Sequence, residues 1–211
     1  AIVFNPSLDS RDLIICAMIT VWALRLGSFL FWRIKKDGQD KRFIVMKTKF
    51  NWFLMTWTIG GLWVLVTMAA GLAALTSNIT AELGLISYLG IALWLFGFVV
   101  EVTADNQKTE FRKNPDNRNR FITTGVWSWS QHANYFGEIT LWFGLALVSL
   151  PVLSGWQLAT LISPVFVYFL LTKVSGIPLL DRLAKQKWGT DSDYLSYTQA
   201  TSKLLLWPPK T

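Results

Sequence analysis

Cysteine occurs once in the 211 residues, at Cys16, and histidine once, at His132. One thiol cannot close an internal disulfide, and beside a single imidazole it leaves no ligand set for zinc. The sequence therefore predicts no metal site. Charge is scarce as well: Asp, Glu, Lys and Arg make up 16% of the chain, against about 25% in soluble domains. No Gly-x-Gly-x-x-Gly follows a strand-like run, and there is no Gly-Lys-Ser/Thr phosphate loop. A serine nucleophile elbow is missing too. These absences exclude a disulfide framework and a soluble dinucleotide-binding α/β enzyme. Any nucleotide must be held between membrane helices.

What the chain has in abundance is apolar surface. Hydrophobic residues make up 52% of it, twelve are Trp, and the mean hydropathy is +0.37. Such a composition excludes intrinsic disorder. The net charge of +7 could suggest a nucleic-acid partner, but the basic residues stand between long apolar runs. The reading is a membrane protein with no nucleic-acid partner.

A helix needs roughly 20 mainly apolar residues to cross the hydrocarbon. Five stretches qualify or nearly do, at 13–32, 52–75, 83–102, 135–150 and 158–174. The fourth stops at Pro151 and the fifth contains Pro164, which neighbouring helices can accommodate. The expected fold is all-α: one polytopic transmembrane bundle over 1–211, with about five spans and a cofactor cavity facing the cytoplasm.

Charge sets the orientation. Of the 20 Lys and Arg, Arg11 precedes the first span and Arg25 lies inside it. The other 18 fall in 33–49, in 103–134 or in the tail from Lys173. The opposite loops, 76–82 and 151–157, contain none. By the positive-inside rule, 33–51, 103–134 and the tail are cytoplasmic. Asn78-Ile79-Thr80 is formally a glycosylation sequon, in a loop too short to favour its use. The chain opens at Ala1 rather than Met, and nothing before Leu13 resembles a signal peptide.

The polar residues near the spans carry the chemistry. Glu101, Asp105, Lys108 and Arg112 are spaced 4, 3 and 4, so a continued helix puts them on one face. That face could close on itself through i,i+4 salt bridges. Alternatively it walls the mouth of a cavity, with the bases toward an anionic ligand. Arg118 and Arg120 follow, and the planar fork of arginine suits phosphate. The segment Gly125-Val-Trp-Ser-Trp-Ser-Gln-His-Ala-Asn-Tyr-Phe-Gly-Glu138 opens the fourth span, which sets Asn134 and Glu138 one turn apart near a helix N-terminus. Arg25 in mid-span costs about 2.5–3.5 kcal/mol on insertion scales. It either snorkels toward Trp32 or pairs with a bound anion, Glu101 or Glu138.

Taken together, Glu101-x3-Asp105-x-Gln107-Lys108-x2-Phe111-Arg112, Thr124-Gly125-Val126-Trp127 and His132-Ala-Asn-Tyr-Phe-Gly-Glu138 resemble the steroid 5-alpha-reductase-like membrane family. They are most similar to its bacterial branch, the DUF1295 group. Trp22-Ala-Leu-Arg25-Leu, Asp40-Lys41-Arg42-Phe43, and the tail from Gly176-Ile-Pro-Leu-Leu to Trp207-Pro-Pro also look like that branch.

The resemblance implies NADPH-dependent reduction of a carbon–carbon double bond conjugated to a ketone in a lipophilic, steroid-like or isoprenoid substrate. It also implies a place among membrane lipids, here a bacterial inner membrane. Carried over by position, Asp105, Arg112, Arg120, Asn134, Tyr135 and Glu138 would contact the dinucleotide. The charged face adds Glu101 and Lys108 to that set, and the mid-span Arg25, as a partner for a bound anion, completes it. The catalytic candidates are Tyr135, Glu138 and His132. Two departures stand out: the family's carbonyl-polarising tyrosine is replaced by Trp22, and its histidine in the last span is absent near Thr172. Two alternatives stay open. One is an S-adenosylmethionine-dependent enzyme similar to the isoprenylcysteine carboxyl methyltransferases, suggested by Trp188-Gly189…Tyr194…Tyr197. The other is a non-catalytic lipid-binding protein of the same fold.

Overall fold

A computed structural model describes residues 9–37 and 48–209. The motif Asp40-Lys41-Arg42-Phe43 and most of the basic loop around it lie outside the described residues. Among the described residues there is no strand. The elements are α1 (Ser10–Asp37), α2 (Phe50–Leu75), α3 (Leu85–Lys113), α4 (Ala133–Ser149), α5 (Ile162–Phe169), α6 (Ile177–Trp188) and α7 (Ser192–Ala200).

Among the described residues, five helical segments are long and apolar enough to cross a membrane: Ser10–Lys35, Phe50–Leu75, Leu85–Lys113, Ala133–Val152 and Gly155–Trp188. Leu24, Phe31, Trp57, Leu62 and Val99 are all exposed large hydrophobics on these helices. Surface of that kind is costly in water and costs nothing against acyl chains. The chain is an integral membrane protein.

Two compact units divide the chain. The first comprises Ala1–Tyr88 and Leu145–Ser163. In it Asp9 precedes α1, and Asp9 and Asp12 accept each other's backbone N–H groups at 2.9 and 3.4 Å, an acidic version of the capping box. One stripe of α1, through Ile15, Met18 and Trp22, is buried. Ile15 and Ile19 meet α2 at Gly71, where Leu145 of the end of α4 also arrives.

Arg11 fastens this unit. It is 1% exposed, and it donates to Ser87 Oγ, to the carbonyl of Val148 and to the carbonyls of Ala81 and Glu82, at 2.6–3.1 Å. A cation at the last turn of α4 also meets the negative end of that helix.

The second unit comprises Leu89–Gly144 and Pro164–Thr211. Here α3 and α4 run antiparallel in very close contact. A Cβ added to Gly97 would stand 2.5 Å from the carbonyl oxygen of Gly137, and one added to Gly144 would stand 2.6 Å from that of Gly90. Gly90 and Gly97 on α3, like Gly137 and Gly144 on α4, are seven residues apart. They lie on a single stripe of each helix, where small residues let backbones touch.

Helix α3 does not end where the apolar run ends at 102. It continues to Lys113, so the first third of the expected 103–134 loop is helix, and the charged face is built on it. The fifth expected span is not one regular helix either. A 3-10 stretch covers Gly155–Leu161, α5 follows, and a π-helical stretch covers Leu170–Val174. Ser175 N donates to the carbonyl of Leu170 at 2.9 Å, and Gly176 starts the tail helix α6. Pro164 and the tight packing at Gly176 account for the irregularity.

Candidate functional site

The motif residues of α3 hold the segment 124–134 in place. Asp105 Oδ1 accepts from the Asn134 amide at 3.3 Å. Gln107 Oε1 accepts from the backbone N–H of Val126 at 3.0 Å. The ammonium of Lys108 lies 4.8 Å from the ring centroid of Trp127, and the Trp127 indole donates to the carbonyl of Ala104 at 3.0 Å. Gly125 has φ +65°, and its backbone packs directly on the Gln107 carboxamide, leaving no room for a side chain. Three motifs that are separate in the sequence thus interlock around Ala104, Ile122, Trp127 and Ala133, which form a buried cluster.

Below that cluster is a cavity of about 330 Å³. Lys108 and Arg112 line one side, His132 and Asp181 another, and Phe121, Trp127, Trp188, Tyr194 and Tyr197 complete an aromatic wall. Phe121 is the hub of that wall, with ring centroids 5.7, 5.2 and 5.6 Å from Trp188, Tyr194 and Tyr197. The Tyr197 hydroxyl donates to the carbonyl of Trp127 at 2.7 Å, and burial raises its pKa above the ordinary tyrosine value.

A larger cavity of about 960 Å³ shares Gln131, Asp181 and Tyr194 with the first and opens between α6, α7 and the tail. The tail is strapped to 129–131. Gln131 N donates to Ser202 O at 2.9 Å, Trp207 N to Trp129 O at 3.2 Å, and Ser130 Oγ to Leu204 O at 2.8 Å.

His132 is 6% exposed. Its Nε2 donates to Asp181 Oδ1 at 3.3 Å, and Lys203 Nζ meets the other oxygen at 2.5 Å. The Tyr135 ring stacks on the imidazole, with centroids 5.7 Å apart and an interplanar angle of 8°. Burial holds the imidazole below its ordinary pKa, opposed by Asp181 and reinforced by the charges of Lys108 and Lys203.

The expected site residues are therefore distributed as follows. Glu101 is buried beside Gly137 in the α3–α4 seam, while Asp105 and Asn134 pair across it. Lys108, Arg112 and His132 reach the small cavity. Arg112 also donates to the carbonyls of Asn117 and Arg118 at 3.4 and 3.3 Å, closing the turn after α3.

Tyr135 and Glu138 occupy the first two turns of α4, half-buried. Arg120 is exposed beyond the turn. Arg25 belongs to the first unit, where its guanidinium lies 5.4 Å from the Phe29 ring. Trp22 is buried in the same unit. Thr172 donates to the carbonyl of Tyr168 at 2.7 Å. Among the described residues no cluster of three or more His, Cys, Asp and Glu is placed to hold a metal.

Sequence reasoning missed Asp181, Lys203 and the glycine seam. The seven-residue glycine spacing was there to be read. Asp181 carries only a weak signal, as an acid in an otherwise basic stretch.

Fold and site together define a polytopic helical membrane protein with a basic and aromatic cavity beside its α3–α4 pair. The chain belongs to the family described as "Protein of unknown function (DUF1295)", whose profile matches residues 1–201. It is similar to the 3-oxo-5-alpha-steroid 4-dehydrogenase 1 of Bos taurus, at 34% identity over 33% of this chain and 27% of that protein. The protein of the same name from Homo sapiens is 36% identical over 30% of this chain and 25% of its own length. The chain thus spans about a quarter of the length of these curated relatives. It is also similar to the "Probable O-methyltransferase ustE" of Ustilaginoidea virens, 29% identical over 55% of this chain and 48% of that protein. No solved structure matches.

Proposed function

We propose that this chain is a membrane-embedded reductase that uses NADPH to saturate a carbon–carbon double bond in a lipophilic enone, steroid-like or isoprenoid. The observation that carries this reading is the cavity with Lys108 and Arg112 on one wall and Phe121, Trp127, Trp188 and Tyr197 around it. Cations at the rim suit phosphate oxygens, and flat aromatic walls suit a base or a nicotinamide ring. At about 330 Å³ it is at the lower end of ligand sites, while the neighbouring space of about 960 Å³ leaves room for the rest of a dinucleotide. The residues present fit the group.

In this reading Lys108, Arg112 and the exposed Arg120 hold phosphates. Asp105, Asn134, Tyr135 and Glu138 orient the nicotinamide end, with Glu101 behind them. NADPH supplies the hydride for the β-carbon of the enone. The chain's own contribution is a donor for the developing enolate oxygen and a proton for the α-carbon. Tyr135, Glu138 and His132 are the candidates, since Trp22 has no acidic proton to offer. In this reading the site opens on the cytoplasmic side, which the positive-inside pattern supports, and the membrane is a bacterial inner membrane.

The methyltransferase reading has two observations in its favour: the similarity to the "Probable O-methyltransferase ustE", and the aromatic grouping of Trp188, Tyr194 and Tyr197, which could face a sulfonium. Lys108, Arg112 and Lys187 on the same cavity oppose a cationic ligand. The deciding experiment is thermal stabilisation of the detergent-purified protein by NADPH, NADP and S-adenosylmethionine, with mass analysis of any co-purified nucleotide. Selective stabilisation by NADPH supports the reductase. Stabilisation by S-adenosylmethionine alone replaces it with the methyltransferase. Binding of neither favours the non-catalytic lipid-binding reading.

A further inference from the structure

We propose that Asp181 is a positioning residue for His132, holding the sole imidazole of the chain oriented and ready to take up and release a proton beside the cavity. The inference rests on the reductase reading, in which the enone gains a hydride at one carbon and a proton at the other. The hydride brings both electrons, so the proton is all that remains for the chain to deliver.

The geometry is that of an imidazole held from behind by a carboxylate. His132 is buried at the start of α4, and its Nε2 faces Asp181 Oδ1 on α6. The second carboxylate oxygen is held by Lys203 from the tail, whose side chain is 60% exposed. One end of the chain of contacts is therefore in contact with water, and the other is at the cavity wall. The Tyr135 ring lies parallel to the imidazole, centroids 5.7 Å apart. The charged and titratable groups facing His132 are Asp181 from α6, Lys203 from the tail and Lys108 from α3, with Tyr135 above it. Two cations and burial all disfavour the imidazolium. Asp181 is the one anion among them, so it alone keeps the imidazole basic enough to carry a proton.

Delivery of the proton to the α-carbon breaks an imidazolium N–H bond and forms a C–H bond, leaving neutral His132. A proton from bulk solvent returns to Nδ1, the nitrogen not engaged with Asp181, and the resulting imidazolium is stabilised by the Asp181 carboxylate. The carboxylate itself need not change protonation state, which is the usual division of labour in acid–base pairs of this kind.

Because the chain contains one histidine, isotope-labelled histidine gives a single set of imidazole signals. The full chain in nanodiscs, titrated by NMR, reads the His132 midpoint directly, with no cofactor or substrate needed. Asp181→Asn should move the midpoint downward, Asp181→Glu should restore it, and Lys203→Met should move it upward. In turnover, Asp181→Asn should lower kcat by about tenfold, a part of the 10²–10⁴ that a placed general acid is worth, and shift the acid limb of the kcat profile in the direction of the His132 midpoint. A midpoint that ignores Asp181→Asn, or rises, overturns the inference and leaves Asp181 as a structural link only. Loss of NADPH-dependent stabilisation in the wild-type chain would instead strike at the reductase reading, so the two failures are separate.

Discussion

Gly97 and Gly137 face each other so closely that a single methyl group on Gly97 would lie 2.5 Å from the carbonyl oxygen of Gly137. The obstacle is backbone on both sides, which cannot swing away as a side chain could. Gly97→Ala is expected to destabilise the protein by at least the 1–3 kcal/mol typical of overpacking. Thermal unfolding in detergent measures it, with Gly60→Ala, where the added Cβ meets nothing within 4 Å, as the matched control. Equal melting temperatures for the two variants would show that the helices can separate at no cost.

The basic rim of the cavity is a second point of test. Replacing Lys108 and Arg112 together by Ala should weaken NADPH binding about 10- to 100-fold per lost charged contact, following the 1.5–3 kcal/mol of such hydrogen bonds. Lys113→Ala, whose partner is the exposed Glu110 at 2.6 Å, should leave binding as it was. The check is isothermal titration or thermal shift at fixed salt. A double variant that binds NADPH like the wild type would remove the cavity from the cofactor site.

Stability should depend on pH in a definite direction. Burial lowers the His132 pKa in the folded chain, so the folded state holds that proton less tightly than the unfolded state does. This contribution is complete above the unfolded value of about 6.5 and declines as the pH falls below it. Tyr197 has the opposite arrangement: its raised pKa gives a contribution complete below about 10 that declines at higher pH. Melting temperatures between about pH 5.5 and 7.5 should drop toward acid in the wild type and drop less in His132→Gln. Parallel curves would mean that His132 does not govern this limb.

Arg11 gives a prediction for the first unit. Arg11→Met keeps much of the side-chain volume but leaves the Ser87 hydroxyl and the carbonyls of Ala81, Glu82 and Val148 without this donor. A loss of roughly 3 kcal/mol is expected, one to two buried polar groups' worth. Unfolding of the purified variant tests it. A change below about 0.5 kcal/mol would place the residue among ordinary surface substitutions.

The five spans were legible because apolar runs of membrane length admit few other interpretations. The face formed by Glu101, Asp105, Lys108 and Arg112 was legible for a local reason too: charges at helical spacing reveal a helix that outlasts its apolar run. What the four residues do was less accessible. Asp105 and Gln107 are occupied with Asn134 and Val126, 29 and 19 residues away, and no pattern within α3 predicts that. The same holds for His132 and Asp181, 49 residues apart on elements separated by two membrane crossings. Periodicity reports only the face on which a side chain lies, while its partner depends on how helices are paired.

The strap between 129–131 and 202–207 bears on how the protein is made. These segments are more than 70 residues apart in sequence, and helices of the intervening stretch must enter the bilayer before they can meet. The cavity is thus a late product of biosynthesis, closed only when the tail has left the ribosome and folded back. A nascent chain halted before Ser202 would present the 129–131 segment held from α3 alone, with the floor of the larger cavity still missing.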